Sequence, residues 1–434
     1  MQNLIILLCF LIPASGAMRL NIGGAITPGE ILLLLLTPFL FKRMRQIAQL
    51  RPAKQILMLL AIYLLSNIIS DIYRHTPPID FLRGWSRSLM MGFGFLALGA
   101  LIGSNEYRIL AFILGGTLSN MFADFFGEMR VGIEHSSTTL YKFVFGVPIS
   151  TFAFILYGWF GSVFWGLPRI APYFSGALAF LMNSRSLAGI TIMAALVQGL
   201  FKKQFSISDA LKTSNIAKYI SVAAGIGAIY IFYVTAAPAG WLGPEAKAKF
   251  ESQKGSAVGA KFSLTSGRHE LAFSWPKIEQ SPIIGWGSWA KDPVYVFERC
   301  LLMGGSVPQA RYVSRVNGGL IPTHSHFFGA WLESGILGAV FWGVMMIKAL
   351  SIVFTGKLNI MKRLSPVLTF IFMIFLWDVL FSPFGGERRL WNGFLLWLFV
   401  LIPLIAARAN SLGYNKLTPE SAGPMENKPV ILAS

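Results

Sequence analysis

The sequence has very few cysteines, and it lacks the short motifs with which enzymes hold metals or nucleotides. Only two cysteines occur in 434 residues. Cys9 lies in the first apolar run and Cys300 in a long polar segment, so a disulfide between them is not expected. The chain has no Asp-x-Asp, no His-Glu-x-x-His, no cysteine pair at metal spacing and no glycine-rich loop ending in Lys-Ser or Lys-Thr. Metal-assisted and nucleotide-driven reactions are therefore not expected, and the sequence predicts no metal and no cofactor.

Acidic residues are scarce as well. The 19 Asp and Glu face 37 Lys and Arg, which gives a net charge of +18. Such a surplus can indicate nucleic-acid binding, but here the basic residues form short clusters between apolar runs instead of following one soluble face. We therefore expect no nucleic-acid partner. The few carboxylates near the predicted outer face also argue against a hydrolase with two flanking carboxylates.

Apolar runs are abundant. Hydrophobic residues make up 54% of the chain and charged residues 13%, which is typical of an integral membrane protein. A helix of roughly 17–25 apolar residues crosses a bilayer core of about 30 Å. About twelve runs approach or reach that length, at residues 3–16, 25–41, 56–73, 88–103, 109–127, 143–161, 165–183, 186–201, 220–242, 327–352, 367–384 and 394–410.

These runs predict an all-α polytopic membrane protein with about twelve transmembrane helices. Spans one to nine occupy residues 1–242, a large polar loop follows over 243–326, spans ten to twelve occupy 327–410, and a tail completes the chain over 411–434. The first run ends in small residues but has no basic residue before it, so a cleaved signal peptide and a retained span both remain open.

Clusters of basic residues predict the orientation, because Lys and Arg in short loops stay in the cytoplasm. All three clusters follow even-numbered runs, which places both termini inside and the polar loop outside. In a bacterium this is an inner-membrane protein whose loop faces the periplasm. The clusters are Lys42, Arg43, Arg45, Arg51 and Lys54; Lys202, Lys203, Lys212 and Lys218; and Lys357, Lys362 and Arg363.

Two short helices are predicted inside the polar loop. Leu271, Trp275 and Ile278 recur at helical spacing around Pro276, and a second helix is expected from Val294 to Met303. Arg268 lies one turn before Leu271 on the same stripe, so we expect it to face inward.

Arginine and histidine are the candidate functional residues of the outer face. Guanidinium groups bind phosphate oxygens in a bidentate fork, and an imidazole near its ordinary pKa can take a proton from an attacking hydroxyl. This combination suits a diphosphate leaving group and an alcohol acceptor. The candidates for catalysis are His324, Arg268 and Arg185, and the candidates for substrate binding are Arg185, Arg268, Arg388, Arg389 and His326.

His324 is the stronger candidate for a general base, because Pro322 and Thr323 end the loop before it and an apolar run begins after it. His326 points elsewhere if a helix has started by then. Each candidate also has a structural interpretation. Both histidines can serve as capping or interface residues, Arg185 can snorkel at a span end, Arg268 can pair with Glu270, and Asp378 can neutralise an inward arginine. For Arg74, Arg83 and Arg87 the structural interpretation is contact with anionic phospholipid or lipopolysaccharide at the membrane interface.

Four short motifs resemble the O-antigen ligase and polymerase superfamily of bacterial envelope glycosyltransferases. They are Ser184-Arg185-Ser186, Ser266-Gly267-Arg268, the stretch from Ser281 to Gly287, and His324 followed by the stretch from Glu333 to Gly338. Their order and spacing cover about the C-terminal 60% of the chain. Two positions depart from the pattern, since Ser325 and Ala272 stand where the family often has Asn and Trp.

The resemblance implies a GT-C-like fold and a metal-independent, inverting glycosyltransferase. It implies that Arg185 and Arg268 bind the diphosphate of an undecaprenyl-linked glycan and that His324 is the essential histidine. An O-antigen ligase would transfer that polysaccharide to a sugar hydroxyl of lipid A-core, for lipopolysaccharide synthesis. An O-antigen polymerase, and a transporter or flippase of the lipid-linked glycan, remain as alternatives. The sequence shows neither the internal repeats nor the midplane polar sites that are common in transporters.

Overall fold

The computed structural model describes residues 2–18, 20–21, 25–125, 137–161, 164–201, 213–244, 247, 250–251, 269–303, 305–385 and 388–411. Within these ranges the chain is helical, apart from one short antiparallel pair of strands, β1 (Leu20–Asn21) and β2 (Ala25–Ile26). The pair joins the first two helices. The predicted helical fold class is confirmed for the part of the chain that is described.

We number the α-helices of the described residues in chain order. They are α1 (Gln2–Ala14), α2 (Pro28–Gln49), α3 (Arg51–Tyr73), α4 (Pro78–Ile102), α5 (Glu106–Phe125), α6 (Ser137–Phe160), α7 (Ala171–Leu181), α8 (Arg185–Leu200), α9 (Thr213–Ala236), α10 (His269–Gln280), α11 (Pro293–Leu302), α12 (Val307–Arg315), α13 (His326–Ser334), α14 (Ile336–Phe354), α15 (Ser365–Phe381) and α16 (Arg389–Ser411).

Six helices of the described residues are long and apolar enough to cross a membrane. They are α3, α4, α6, α14, α16 and α15 together with the 3-10 turns before it, Lys357–Phe381. Two shorter apolar helices, α1 and α8, accompany them. The described part of the chain is therefore helical and contains six candidate membrane spans. The other predicted runs coincide with further helices.

Local sequence signals explain where several helices begin and end. Thr27 and Glu30 form a capping box at the start of α2, with Pro28 at its first position. Ser325 caps α13, since its hydroxyl accepts the Phe328 amide at 3.0 Å. Gly335, at φ +69°, ends α13 and starts α14 in a new direction. The tenth apolar run was expected as one span, but the structure divides it at this glycine.

Aromatic side chains fill the core between the long helices. Helix α4 packs along α16 and α2, and α15 packs against α8 and α6. Phe112 and Phe394 lie 4.4 Å apart between ring centroids, and Phe154 stacks on Phe370 at 4.8 Å. Burying a side chain of this size stabilises the fold by about 1.5–3 kcal/mol in water. In lipid, by contrast, close packing supplies most of the gain. These contacts give a rigid base for the polar segment.

The polar segment forms three short helices over a small core of its own. Helices α10 and α11 confirm the two predicted helices, with Pro276 inside α10, and α12 was not predicted. Val296, Cys300 and Ala310 are buried between them. Arg268 lies outside the described residues, so its predicted inward orientation stays a prediction.

Candidate functional site

A cavity of about 360 Å³ opens between the polar segment and the ends of the long helices. Its wall is contributed by α3, α4, α12, α13, the loop after α10, the segment between α12 and α13, and the loop after α15. Two of the predicted site residues, His324 and His326, line it. The polar or aromatic members of the wall are Tyr63, Arg87, Trp289, Tyr312, Thr323, His324, Ser325, His326, Glu333 and Phe384.

The two histidines of this wall have different environments because α13 begins between them. His324 precedes the capping residue Ser325 and is exposed at the cavity. His326 is the first residue of α13 and is only 1% exposed. The position of the helix start therefore separates an exposed imidazole from a buried one.

His326 is held by two hydrogen bonds and two aromatic rings. Its Nδ1 lies 2.6 Å from the backbone oxygen of Asp378, so Nδ1 carries the proton and donates it. Its Nε2 accepts from the Asn392 side-chain amide at 3.3 Å. The ring stacks on Phe384 at 5.3 Å and meets Trp342 edge-on at 4.7 Å.

Burial, together with the positive charge of Arg388, lowers the pKa of His326 from 6.5 to about 4. The imidazole is therefore neutral at physiological pH. With both ring nitrogens already hydrogen-bonded inside the protein, His326 does not fit the substrate-binding role expected from the sequence. We interpret His326 as a structural residue of the cavity wall.

Arg87 and Glu333 form an ion pair at the cavity. The guanidinium binds the Glu333 carboxylate and also donates to the Phe384 carbonyl at 3.2 Å. The other carboxylate oxygen of Glu333 accepts the Trp289 amide at 3.2 Å. Both side chains are largely buried, at 14% and 12% exposure. A charged pair at this depth is costly unless its hydrogen bonds are made, and here they are.

The Ser281–Gly287 and Glu333–Gly338 motifs pack directly on each other. Gly285 and Gly335 both have positive φ, at +86° and +69°. A side chain on Gly285 would reach within 2.6 Å of the Gly335 nitrogen, and one on Gly335 would overlap the Ile283 carbonyl. Only glycine allows both the backbone conformation and the approach. The spacing of the motifs in the sequence therefore reflects one contact in space.

This contact supplies partners for the last carbonyl groups of α13, which have none inside the helix. The Trp286 amide donates to Leu332 at 2.7 Å, and the Gly287 amide donates to Glu333 at 3.0 Å. From α3, the Ser66 and Ser70 hydroxyls donate to Ser334 at 2.5 Å and Glu333 at 2.8 Å. Two parts of the chain, α3 and the loop after α10, thus fix the backbone at the end of α13.

Asp71 and Arg74, at the end of α3, hold the same loop from the other side. The Asp71 carboxylate accepts from the Ser288 amide at 2.6 Å, from the Ser288 hydroxyl at 2.8 Å and from the Trp85 indole at 2.7 Å. Arg74 donates to the Gly285 carbonyl at 2.9 Å and stacks on Trp286 at 4.3 Å. Arg74 therefore binds groups of the protein itself. The lipid contact considered for it in the sequence analysis is not needed to explain its position.

The predicted arginines occupy three separate environments. Arg185 begins α8, and its guanidinium lies 4.1 Å over the Tyr233 ring. It is not one of the residues that line the cavity. Arg388 pairs with Asp378 at 3.0 Å, next to the buried His326. Arg389 makes two bonds of 2.9 Å to Glu30 and is 6% exposed.

These environments bear on the predicted roles. The guanidinium group of Arg389 is already bound to the Glu30 carboxylate. Arg389 therefore does not fit the substrate contact expected from the sequence. Asp378 neutralises Arg388, as the structural interpretation of that acid expected. Arg185 and Arg268 remain the predicted diphosphate ligands, and Arg268 lies outside the described residues. Among the described residues, no group of three His, Cys, Asp or Glu side chains is arranged to hold a metal.

Arg87 and Glu333 are the site residues that sequence reasoning did not select. Arg87 was weighed as a lipid contact, and Glu333 was only part of a motif. They are 246 positions apart, so no local pattern joins them. One signal was available in the sequence. Glu333 and Arg87 are oppositely charged and lie in or beside apolar runs on the predicted outer face, where a charged side chain needs a partner more than it does in water.

The chain was also compared with known proteins. No protein-family model matches it, and no curated protein matches it either. The likeness to envelope glycosyltransferases therefore depends on the four motifs alone.

Proposed function

We propose that the protein is an O-antigen ligase of the bacterial inner membrane. It transfers a preassembled polysaccharide from undecaprenyl diphosphate to a sugar hydroxyl of lipid A-core, in one displacement that inverts the anomeric carbon and needs no metal. The proposal includes the finer architecture expected from the sequence: about twelve spans, a GT-C-like arrangement and an active site that faces the periplasm.

One observation carries the proposal. The cavity brings the accessible His324 to the same wall as the Arg87 and Glu333 pair, at the junction of the polar segment with the membrane helices. Donor and acceptor both carry lipid tails, so the reacting groups must meet at such a junction. The packing of two resemblance motifs around Glu333 supports the same location.

In this proposal the residues have distinct roles. His324 takes the proton from the acceptor hydroxyl as that oxygen attacks the anomeric carbon, and the diphosphate leaves with the bonding electrons. Arg185 and Arg268 bind the diphosphate, whose departure needs charge stabilisation and no general acid. Arg87 holds the Glu333 carboxylate in place at the wall. Arg388, paired with Asp378, stays a predicted substrate contact beside the site. His326 and Arg389 are left out because protein groups occupy them.

An O-antigen polymerase would use the same groups on two lipid-linked glycans, so it is the nearest alternative. Purified protein should be incubated with lipid-linked glycan, lipid A-core and EDTA. We expect glycan attached to lipid A-core. Growth of the lipid-linked chain without any modified lipid A-core would exclude the ligase and favour the polymerase. Product formation in detergent, where there are no two sides, would exclude a transporter or flippase that only moves the glycan.

A further inference from the structure

Helix α12 presents two arginines to solvent beside the cavity. Ala310 and Ser314 are the buried residues of α12. Arg311 and Arg315 are exposed and stand one turn apart. Together with Val307, Pro308, Tyr312 and Val316 they line an open groove of about 480 Å³, which we call the α12 groove.

The charges of the α12 groove are not balanced by the described part of the protein. No ion pair within 4.0 Å joins Arg311 or Arg315 to a described carboxylate. Two like charges at positions i and i+4 of a helix repel each other. Other cations of the same segment are paired, such as Lys277 with Asp292 at 2.7 Å. An anion in the groove would remove the repulsion.

The α12 groove is continuous with the cavity that contains His324. Tyr312 and Val316 line both spaces. The Tyr312 ring is 70% exposed, so it offers an aromatic face at the passage between them. A molecule that extends from the reacting hydroxyl at His324 out of the cavity would pass Tyr312 and reach the two guanidinium groups.

We propose that the α12 groove binds the phosphate-bearing part of the acceptor oligosaccharide. This inference rests on the proposed function, because that function makes the acceptor a lipid-anchored saccharide with a hydroxyl at His324. Guanidinium forks bind phosphate oxygens in pairs, and a tyrosine ring packs on a sugar face. The groove would therefore select acceptors by a phosphate placed a fixed distance from the reacting hydroxyl.

A membrane surface is the competing occupant, since basic helices also bind anionic headgroups. Helices that lie in the interface bring large apolar anchors such as Trp, Phe or Leu. Helix α12, with the sequence VPQARYVSR, has only valines and one tyrosine. Its two arginines also lie on the helix face that joins the cavity at Tyr312 and Val316. Both features favour a saccharide.

The test compares Arg311→Gln/Arg315→Gln with the full chain in nanodiscs of neutral lipid. The probes are delipidated core oligosaccharide with its phosphates and the same oligosaccharide after phosphatase treatment. We expect the double variant to bind the phosphorylated probe about tenfold more weakly, and to bind the treated probe like the unchanged protein. In transfer assays the KM for acceptor should rise, while the KM for donor and kcat stay unchanged.

The matched control is Arg43→Gln/Arg45→Gln, which removes the same charge from exposed positions on α2. Equal binding of both probes by the α12 variant and the unchanged protein would overturn the inference. An effect that appears only when anionic lipid is added would overturn it in favour of membrane contact. If the unchanged protein transfers no glycan to any acceptor, the proposed function itself fails, and the direct binding measurement still decides whether the groove holds phosphate.

Discussion

At the scale of single residues, the start of α13 assigns different roles to two histidines that are two positions apart. His324→Ala should lose turnover by about 10²–10⁴, the usual contribution of a general base, while donor binding is retained. His326→Phe keeps a ring between Trp342 and Phe384, so it should retain most activity once folded. Single-turnover transfer together with donor binding measures both variants. If His326→Phe has native stability but no activity, and His324→Ala is active, then His326 and not His324 is the general base.

Arg268 is predicted to fail differently from His324, because a diphosphate ligand contributes to donor binding as well as to the chemical step. Arg268→Ala should lose both binding and turnover. Arg268→Lys should recover little of either, since an ammonium group keeps the charge but not the bidentate fork. Donor titration of the three proteins is the measurement. Full recovery by Arg268→Lys would show that only charge matters there.

The neutral state of His326 predicts a pH dependence of stability. Its pKa is about 4 in the folded protein against an ordinary 6.5. The unfolded chain therefore binds more protons between these values, and stability should fall as pH decreases from about 6.5 to 4. The contribution is about 3 kcal/mol at most. Thermal unfolding in detergent across this range checks the prediction, and His326→Phe should have a flatter profile than the unchanged protein.

At the scale of elements, the contact between Gly285 and Gly335 should be highly sensitive to one methyl group. Gly335→Ala adds a side chain at positive φ that overlaps the Ile283 carbonyl, so we expect a loss of about 3 kcal/mol. Gly103→Ala is the matched control, because Gly103 has a similar φ of +59° and open space around its Cβ position. It lacks the overlap, so it should cost less than Gly335→Ala, about 1–2 kcal/mol for the backbone conformation alone. Similar melting temperatures for the two variants would mean that the motif contact is not tight.

The helices were largely predictable from the sequence, but the tertiary contacts between them were not. Each of the twelve apolar runs coincides with helical structure within the described residues, because an apolar segment buried away from water must satisfy its backbone hydrogen bonds internally. The break at Gly335 was missed because the apolar pattern continues across it. The ligands of Glu333 come from α3, α4 and the loop after α10. Such a site depends on tertiary packing, which no local spacing encodes.

At the scale of the whole molecule, the predicted orientation can be tested by cysteine labelling. The two native cysteines are free and buried, so they should react slowly. Tyr312→Cys places a thiol on the polar segment, and Arg45→Cys places one on the predicted cytoplasmic end of α2. In spheroplasts, a membrane-impermeant maleimide should label Tyr312→Cys, while Arg45→Cys should react only after lysis. The reverse pattern would place the cavity in the cytoplasm and contradict a periplasmic enzyme.

The way Asp71 holds the polar segment affects how ionic strength acts on the protein. Three groups donate to this carboxylate, namely the Ser288 backbone amide, the Ser288 hydroxyl and the Trp85 indole. All three are neutral. Mobile ions at 1 M shorten the screening length to about 3 Å and weaken exposed ion pairs, but they act little on short bonds between buried groups. The segment should therefore stay docked in concentrated salt. Any loss of turnover under those conditions then reports weaker binding of anionic substrates and not separation of the two parts of the protein.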